Sequence, residues 1–467
     1  MENEYRRTNL GKLRGSVALM TQQGPSPSTL QRLVAMFRGA MVTLGKSPSE
    51  QDLERWAVLI HSSMSGRGRS YHTVEHVFTV DGAPTKTDAI GTLAILFHDT
   101  VYCEVDGGLP RGLQGPLSDA LSVDGGRVEL RPFDPEQDPL RALVARIFGF
   151  TPGQSVTFQS GLNELASALL AVRALQSHLT LPELALVVTC IEGTIPFRPQ
   201  DAEERLYERL VEADEEHGLG LGPEEAERAV QRAVSVSNAD VGNFAYEDAG
   251  AFLSHTWELI PETNPTLRLP AYTLSEYRQA MKRMAGFFKM VEAERVFRTF
   301  RGEPSGEVFE EMLRVARINI DRGHRYLLEK LLAARVLEAL AAETGGDAPV
   351  SLFMGDLPNE RPGALRLEDL LKPARCTADD ADPEVFRLLL EGRNRESGFD
   401  LKTSPLAARL YGLMGDAASD RALDTEGTGP LLKTLPGELL AEIARACGTV
   451  SVTRTEAIET LLASLAL

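Results

Sequence analysis

Three of the chain's eight histidines fall within two short stretches, "RSYHTVEHVFTV" and "AILFHDTVY". His72 and His76 are four residues apart, and a four-residue step on a helix returns to the same face, so both imidazoles can point into one cavity. His98 and Asp99 are neighbours, about 100° apart around a helix axis. They reach a shared point only off the helix flank, where both side chains can bend toward it. Imidazole and carboxylate together suit a divalent transition ion, Zn, Fe, Mn, Co or Ni, better than Ca or Mg. A fourth ligand is Asp240, because the helix opening at Gly222-Pro223 carries Ala226, Val230, Ala233 and Ser237 on one stripe that continues onto it. An ionised carboxylate on that inward face needs a cation or strong donors. An isolated His pair or a His-Asp dipeptide is ordinary in a protein core; the combination of all three elements is what points to a metal site.

Helices must position these groups. In "STLQRLVAMFRGAMVTLG" the apolar residues Leu30, Leu33, Val34, Phe37, Met41 and Leu44 recur at helical spacing, and Ser49 with Asp52 opens a capping-box-like start for "LERWAVLIHSSM". Residues 103 to about 160 break the helical pattern with Gly, Pro and Asp, "RVELRPF" being their only strand-like alternation, and read as an insertion. Helical periodicity resumes afterwards and includes a long amphipathic stretch from about Glu307 to Ala342. From "TGGDAPV" onward the texture changes to short capped pieces. The expected organisation is all-α, with residues 1–345 forming one domain and 346–467 a small helical accessory domain. The C-terminal helices carry no catalytic constellation, and packing, homodimer formation or partner binding is the role expected of them.

Together "YHTVEH", "LFHDTVY" and "SNADVGN" resemble the HD superfamily of metal-dependent phosphohydrolases, especially a bacterial branch reading Y-H-x-x-x-H, F-H-D-x-V-Y and then an Asp in a late helix. The first motif is also similar to the Y-H-N-x-x-H of cyclic-nucleotide phosphodiesterases. The resemblance spans roughly residues 27–335, with 22 residues from His76 to His98 and an enlarged gap before Asp240. It implies an HD-domain helical bundle in which His76, His98, Asp99 and Asp240 hold the metal. His72 would then protonate the leaving alkoxide, with Tyr71 and Tyr102 lining the pocket and Thr194 as a further substrate contact. Metal-activated water and an imidazole titrating near neutrality make the chemistry coherent. The implied reaction is hydrolysis of a phosphomonoester or phosphodiester in a small molecule, with a nucleotide as the first expectation. Two departures argue for one metal ion and not two: Tyr102 stands where the phosphodiesterases place another His, and "CIEGTIPF" offers Thr194 but no His. Glu192 or Glu104 is the remaining oxygen donor that could change that count. The alternative is a catalytically silent scaffold with a structural metal and a protein-interaction role.

Composition sets bounds on partners. With 467 residues and a formal net charge of −18, the chain offers no broad surface for nucleic acid or an anionic membrane, whereas a small phosphorylated molecule held by a local cation is compatible. Cys103, Cys190, Cys376 and Cys447 are far apart and form no C-x-x-C pair, so they are expected to be reduced. The opening "MENEYRRTNLGK" has no apolar signal core and no apolar run is long enough to span a bilayer, so a cytoplasmic location is expected. Among weaker candidates, "GLGLG" at 218–222 follows an acidic stretch and lacks a following Lys. His61 and His255 read as structural. Arg322, His324 and Arg325 read as a solvated helix face.

Overall fold

The computed structural model describes residues 26–467 except 83–87, 125–126, 152, 158–159, 357–360 and 362. The N-terminal stretch read for a signal core lies outside the described residues. The fold is all-α, as expected. Ser28 and Ser49 close capping boxes on α1 (Thr29–Thr43) and α2 (Glu50–Met64). They are followed by α3 (Val74–Asp81) and α4 (Ala89–Phe97). Every residue of α4 except Thr92 is buried, so this helix is a central rod with neighbours on all sides.

The insertion is more ordered than its composition suggests. It holds the short helices α5 (Cys103–Asp106) and α6 (Arg111–Leu117), then α7 (Pro139–Phe148). Around α7, β1 (Leu121–Asp124), β2 (Arg127–Leu130) and β3 (Ser155–Val156) form a three-stranded antiparallel sheet, with Leu121 opposite Leu130 and Val128 opposite Val156. The strand-like alternation is thus β2. Helix α7 follows from Asp138, whose carboxylate caps Arg141 N, and from Pro139 in the first turn.

Next come α8 (Leu162–Leu175), α9 (Leu181–Gly193), α10 (Ala202–His217) and α11 (Gly222–Asp240). Helix α9 packs against α4, α8 and α11. At the α9–α11 crossing a Cβ on Gly193 would lie 2.9 Å from the Ala233 Cβ, so the close approach depends on the glycine. The second half contains α12 (Ala249–Thr263), α13 (Leu274–Met290), α14 (Ala293–Val296), α15 (Gly306–Thr344), α16 (Val350–Met354), α17 (Pro383–Glu391), α18 (Pro405–Asp424), α19 (Thr428–Thr434), α20 (Gly437–Val450) and α21 (Thr455–Ser464).

Buried apolar side chains form two clusters. The first runs from Leu33 to Ala239 and also takes Phe300; the second runs from Phe244 to Leu462. The division expected near residue 346 is not where the cores part. They part just after Asp240, and α15 belongs with the C-terminal helices, packing against α13, α18 and α19. The physical reason is that α15 is buried around most of its circumference between Tyr326 and Ala341, with Leu328, Arg335 and Glu338 on its one half-exposed stripe, so residues from both sides of position 345 must cover it. No helix among the described residues is long and apolar enough to cross a membrane.

Candidate metal centre

Four residues from three helix ends converge on one point. His76 projects from the first turn of α3, His98 caps the C-terminus of α4, Asp99 follows it, and Asp240 ends α11. One ligating atom from each residue lies within 4.8 Å of all the others, so the group could hold a metal ion. The His76 Nε2 is 2.8 Å from Asp240 Oδ1 and 3.6 Å from Asp99 Oδ2. The His98 Nε2 is 3.0 Å from Asp99 Oδ2 and 3.3 Å from Asp240 Oδ1. Both imidazoles are buried. The inward stripe read on α11 is present, since Ala226, Val230, Ala233 and Ser237 are all buried.

This donor set fits a transition ion on its own chemistry. His98 Nδ1 is 2.8 Å from the Ile95 carbonyl, which fixes Nδ1–H as donor and turns the Nε2 lone pair toward the carboxylates. Burial alone would depress the His98 pKa, but Asp99 and Asp240 outweigh it and hold the ring well above its ordinary value. Burial likewise opposes the charge on both carboxylates, and the facing imidazoles, His98 foremost, still hold Asp99 and Asp240 below the usual range. Two ionised carboxylates around imidazole nitrogens, with no lysine or arginine ion pair to either among the described residues, could hold a cation.

His72 is placed differently from its helical expectation. Helix α3 begins at Val74 with Thr73 as its N-cap, so His72 lies before the helix and the shared-face reasoning does not apply to it. Its ring is nevertheless 6.0 Å from that of His76. A buried carboxylate from α12 does the positioning. Glu262 Oε1 accepts the backbone N–H groups of Ser70, Tyr71 and His72 at 2.7, 2.8 and 3.0 Å. Its Oε2 is 2.6 Å from His72 Nδ1. Burial would raise the Glu262 pKa, but His72 and these amides more than offset it and hold the carboxylate low. For His72, burial works downward while Asp99 and Glu262 prevail and raise it.

Arg69 secures the same turn from beneath. Its fully buried guanidinium donates to the carbonyls of His72 (3.2 Å), Asp99 (2.7 Å) and Thr100 (3.1 Å), and pairs with Asp106 at 2.7 Å. One side chain thereby bolts the first motif to the second. The Tyr71 ring lies tilted with its centroid 4.8 Å from that of His76, and Tyr102 lies 4.4 Å from the His72 ring. Thr194 is not joined to this group by its hydroxyl, which donates to Ile191 O at 2.8 Å within its own helix end.

Arg69 and Glu262 escape a motif reading, and so does Glu164. The Glu164 carboxyl is buried, its Oε2 has no hydrogen-bond partner, and burial, with Asp99 and Asp240 adding, pushes it up to about 7. Its neighbours on α8 lock the loop after Asp99, with Asn163 Oδ1 accepting Cys103 N and Ser167 Oγ accepting Val101 N. Arg69 had a short-range signal, a basic residue just ahead of the first motif; Glu262 and Glu164 had none.

Other candidates are occupied elsewhere. Both Glu192 oxygens are taken, by Arg198 at 2.7 Å and Arg209 at 2.5 Å, so this residue is not a spare ligand. Glu104 accepts from Asn163 at 3.2 Å. The amides of Gly220, Leu221 and Gly222 in the glycine-rich loop all donate to Asp214, so the loop binds its own carboxylate. Arg325 is engaged by Glu329, Asp416 and Asp420. No protein-family model, curated protein or solved structure matches this chain.

Proposed function

We propose that the chain is a metal-dependent phosphohydrolase of the HD type. It would cleave a phosphomonoester or phosphodiester bond in a small molecule, with nucleotides the first class to test. The observation that carries this reading is the pairing of a four-residue His–Asp set with a fifth residue, the third histidine of the group, held just outside it by a buried carboxylate. A structural metal site needs the four and has no use for the fifth.

A single divalent ion, when bound by His76, His98, Asp99 and Asp240, supplies an acidified water and neutralises charge on the phosphoryl group. The remaining chemistry belongs to side chains. Glu262 occupies Nδ1 of His72, so Nε2 is the ring atom left to hand a proton to the departing oxygen. The Glu262 charge stabilises the imidazolium before transfer, while the three amides on its other oxygen keep it from moving. Tyr71 and Tyr102 flank His72 edge-on and limit water around the ring.

The test combines elemental analysis with a screen of nucleotides and generic phosphodiesters, run on the native chain and on His72→Ala. The variant is expected to keep its metal while kcat falls by roughly 10²–10⁴ on substrates with poor leaving groups, and by less on an activated one. An equal loss on both removes the proton-donor role. Stoichiometric metal with no turnover across the panel would instead favour the silent scaffold.

A further inference from the structure

The second core contains a cavity that the His–Asp site does not use. It lies between α15, the start of α13, α16 and the segment leading into α18, and encloses about 110 Å³. No residue lining it belongs to the metal centre, so a ligand held there is independent of the phosphohydrolase reading. Leu274, Ala334, Leu337, Val350 and Leu406 furnish apolar wall. The stacked rings of Tyr272 and Tyr277, with centroids 6.3 Å apart, form one side. Such a space suits a compact apolar body: an engineered cavity of roughly 150 Å³ accepts benzene.

Its polar lining leaves donors of two cationic side chains unanswered. Lys330 is buried on α15 and its ammonium donates to Asp400 Oδ2 and Ser404 Oγ, both at 2.8 Å. An ammonium has three donors, and two of them are spent there. Asp400 in turn is saturated, since it also accepts Trp257 Nε1 at 2.9 Å, Tyr277 OH at 3.2 Å and Arg393 Nη1 at 3.2 Å. Arg366, also buried, has an Nε–H with no acceptor, and its ion pair with Glu368 is a loose 3.5 Å. Lys330 and Arg366 are matched in number by Asp400 and Glu368 along the lining, so what stays unanswered is the third Lys330 donor and the Arg366 Nε–H. Orphan buried donors are costly, and a carboxylate supplies acceptors for both.

We infer that this cavity is a binding site for a small monocarboxylate with an apolar body the size of a single ring or a short branched chain. The carboxylate would meet Lys330 and Arg366, and the apolar body would lie against the Tyr272–Tyr277 pair and the aliphatic wall. Recognition of this kind fits the general pattern of a mostly apolar pocket with a few convergent polar groups.

Isothermal titration of the full-length protein with benzoate and 3-methylbutanoate, using benzamide as the neutral control, tests it. Saturable one-to-one binding of a carboxylate, with benzamide at least tenfold weaker, is expected. Lys330→Met should weaken benzoate at least tenfold. Because Lys330 is buried, Ser351→Trp provides a second variant: Ser351 lines the cavity yet is exposed, so a large ring there blocks entry without disturbing the core. That variant should keep the melting temperature of the free protein and lose binding. Absence of saturable binding of either carboxylate up to about 10 mM, equal affinity for benzamide, or undiminished binding in Ser351→Trp would each overturn the assignment.

Discussion

Asp99 and Asp240 in the first core sit among imidazoles, and neither pairs with a lysine or arginine among the described residues. Asp400 in the second core takes Lys330 and Arg393 together with two neutral donors. Both arrangements set ionised carboxylates in partly buried positions and both hold them below the usual range, although desolvation pushes the other way in each. The difference lies in where the compensating charge comes from. In the second core it is covalently part of the chain, so Asp400 is compensated without any bound ion. In the first it is left to protons on histidine, which a divalent ion can replace. A buried carboxylate with no built-in cation is therefore the more informative observation about function, and one with its cations in place speaks for architecture.

The sharpest way to break this contrast is to remove one carboxylate from each core. Asp240→Ala, or Asp99→Ala, should abolish metal retention and any hydrolase activity together, with affinity falling by more than the roughly 10–100-fold that loss of an outer-shell partner costs. Elemental analysis should find one ion per native chain and essentially none in the variants, with the helical circular dichroism retained. Two fully occupied ions in the native protein would show that the donor set is larger than these four residues. Asp400→Ala should do the reverse. Losing the partner of two buried cations is expected to cost about 3–5 kcal/mol in chemical denaturation, while metal content stays at the native value. Metal loss in that variant would mean that the two cores are not separable in this way.

A smaller effect is expected one step out from the ligands. Glu262→Gln removes the charge that faces His72 but keeps the shape, so metal content should be unchanged while activity on poor leaving groups falls on the order of 10²-fold. The pH–rate limb assigned to His72 should move to lower pH, because the carboxylate that favours the charged ring is gone. A fall in activity with an unmoved pH profile would reduce Glu262 to a packing role.

Legibility in the sequence tracks the range of the interactions involved. Asp240 is legible because it ends a helix whose apolar stripe fixes which way it faces, and His76, His98 and Asp99 because they sit in two short motifs at the ends of neighbouring helices. The helical spacing that singles out His72 does not operate in the fold: His72 is not on the helix, and its orientation comes from Glu262, 190 positions away. No local periodicity carries that information. Strand β3 is invisible for a similar reason, since two residues become a strand only by pairing with β2. The change of texture at residue 346 is real in composition but is not a seam between cores. Helix α15 reads as amphipathic over its full length, yet Tyr326, Leu327, Leu331, Leu332 and Ala333 are all buried, and a helix buried around most of its circumference belongs to whatever surrounds it.

Glu329 offers the smallest and most specific probe of the comparison, because it is the carboxylate of the second core where the built-in cation falls short. It is fully buried on α15, paired with Arg325 and accepting Ser419 Oγ at 3.0 Å. Burial pushes its carboxyl up to about 7, against the lowering effect of Arg325, whose guanidinium is shared with Asp416 and Asp420. A carboxyl that binds its proton more tightly in the folded than in the unfolded chain adds stability below the unfolded pKa, near 4.5, and that contribution is lost as pH rises through about 7. Native stability attributable to this group should therefore fall between about pH 4.5 and 7, by an amount on the order of 1–3 kcal/mol. Glu329→Gln keeps the shape and cannot titrate. Subtracting the urea-denaturation stability of the variant from that of the native protein isolates the group from other titrating residues, and the difference should decrease from pH 5 to pH 8. A difference that instead grows with pH would show that Arg325 keeps Glu329 ionised throughout, making it as fully compensated as Asp400.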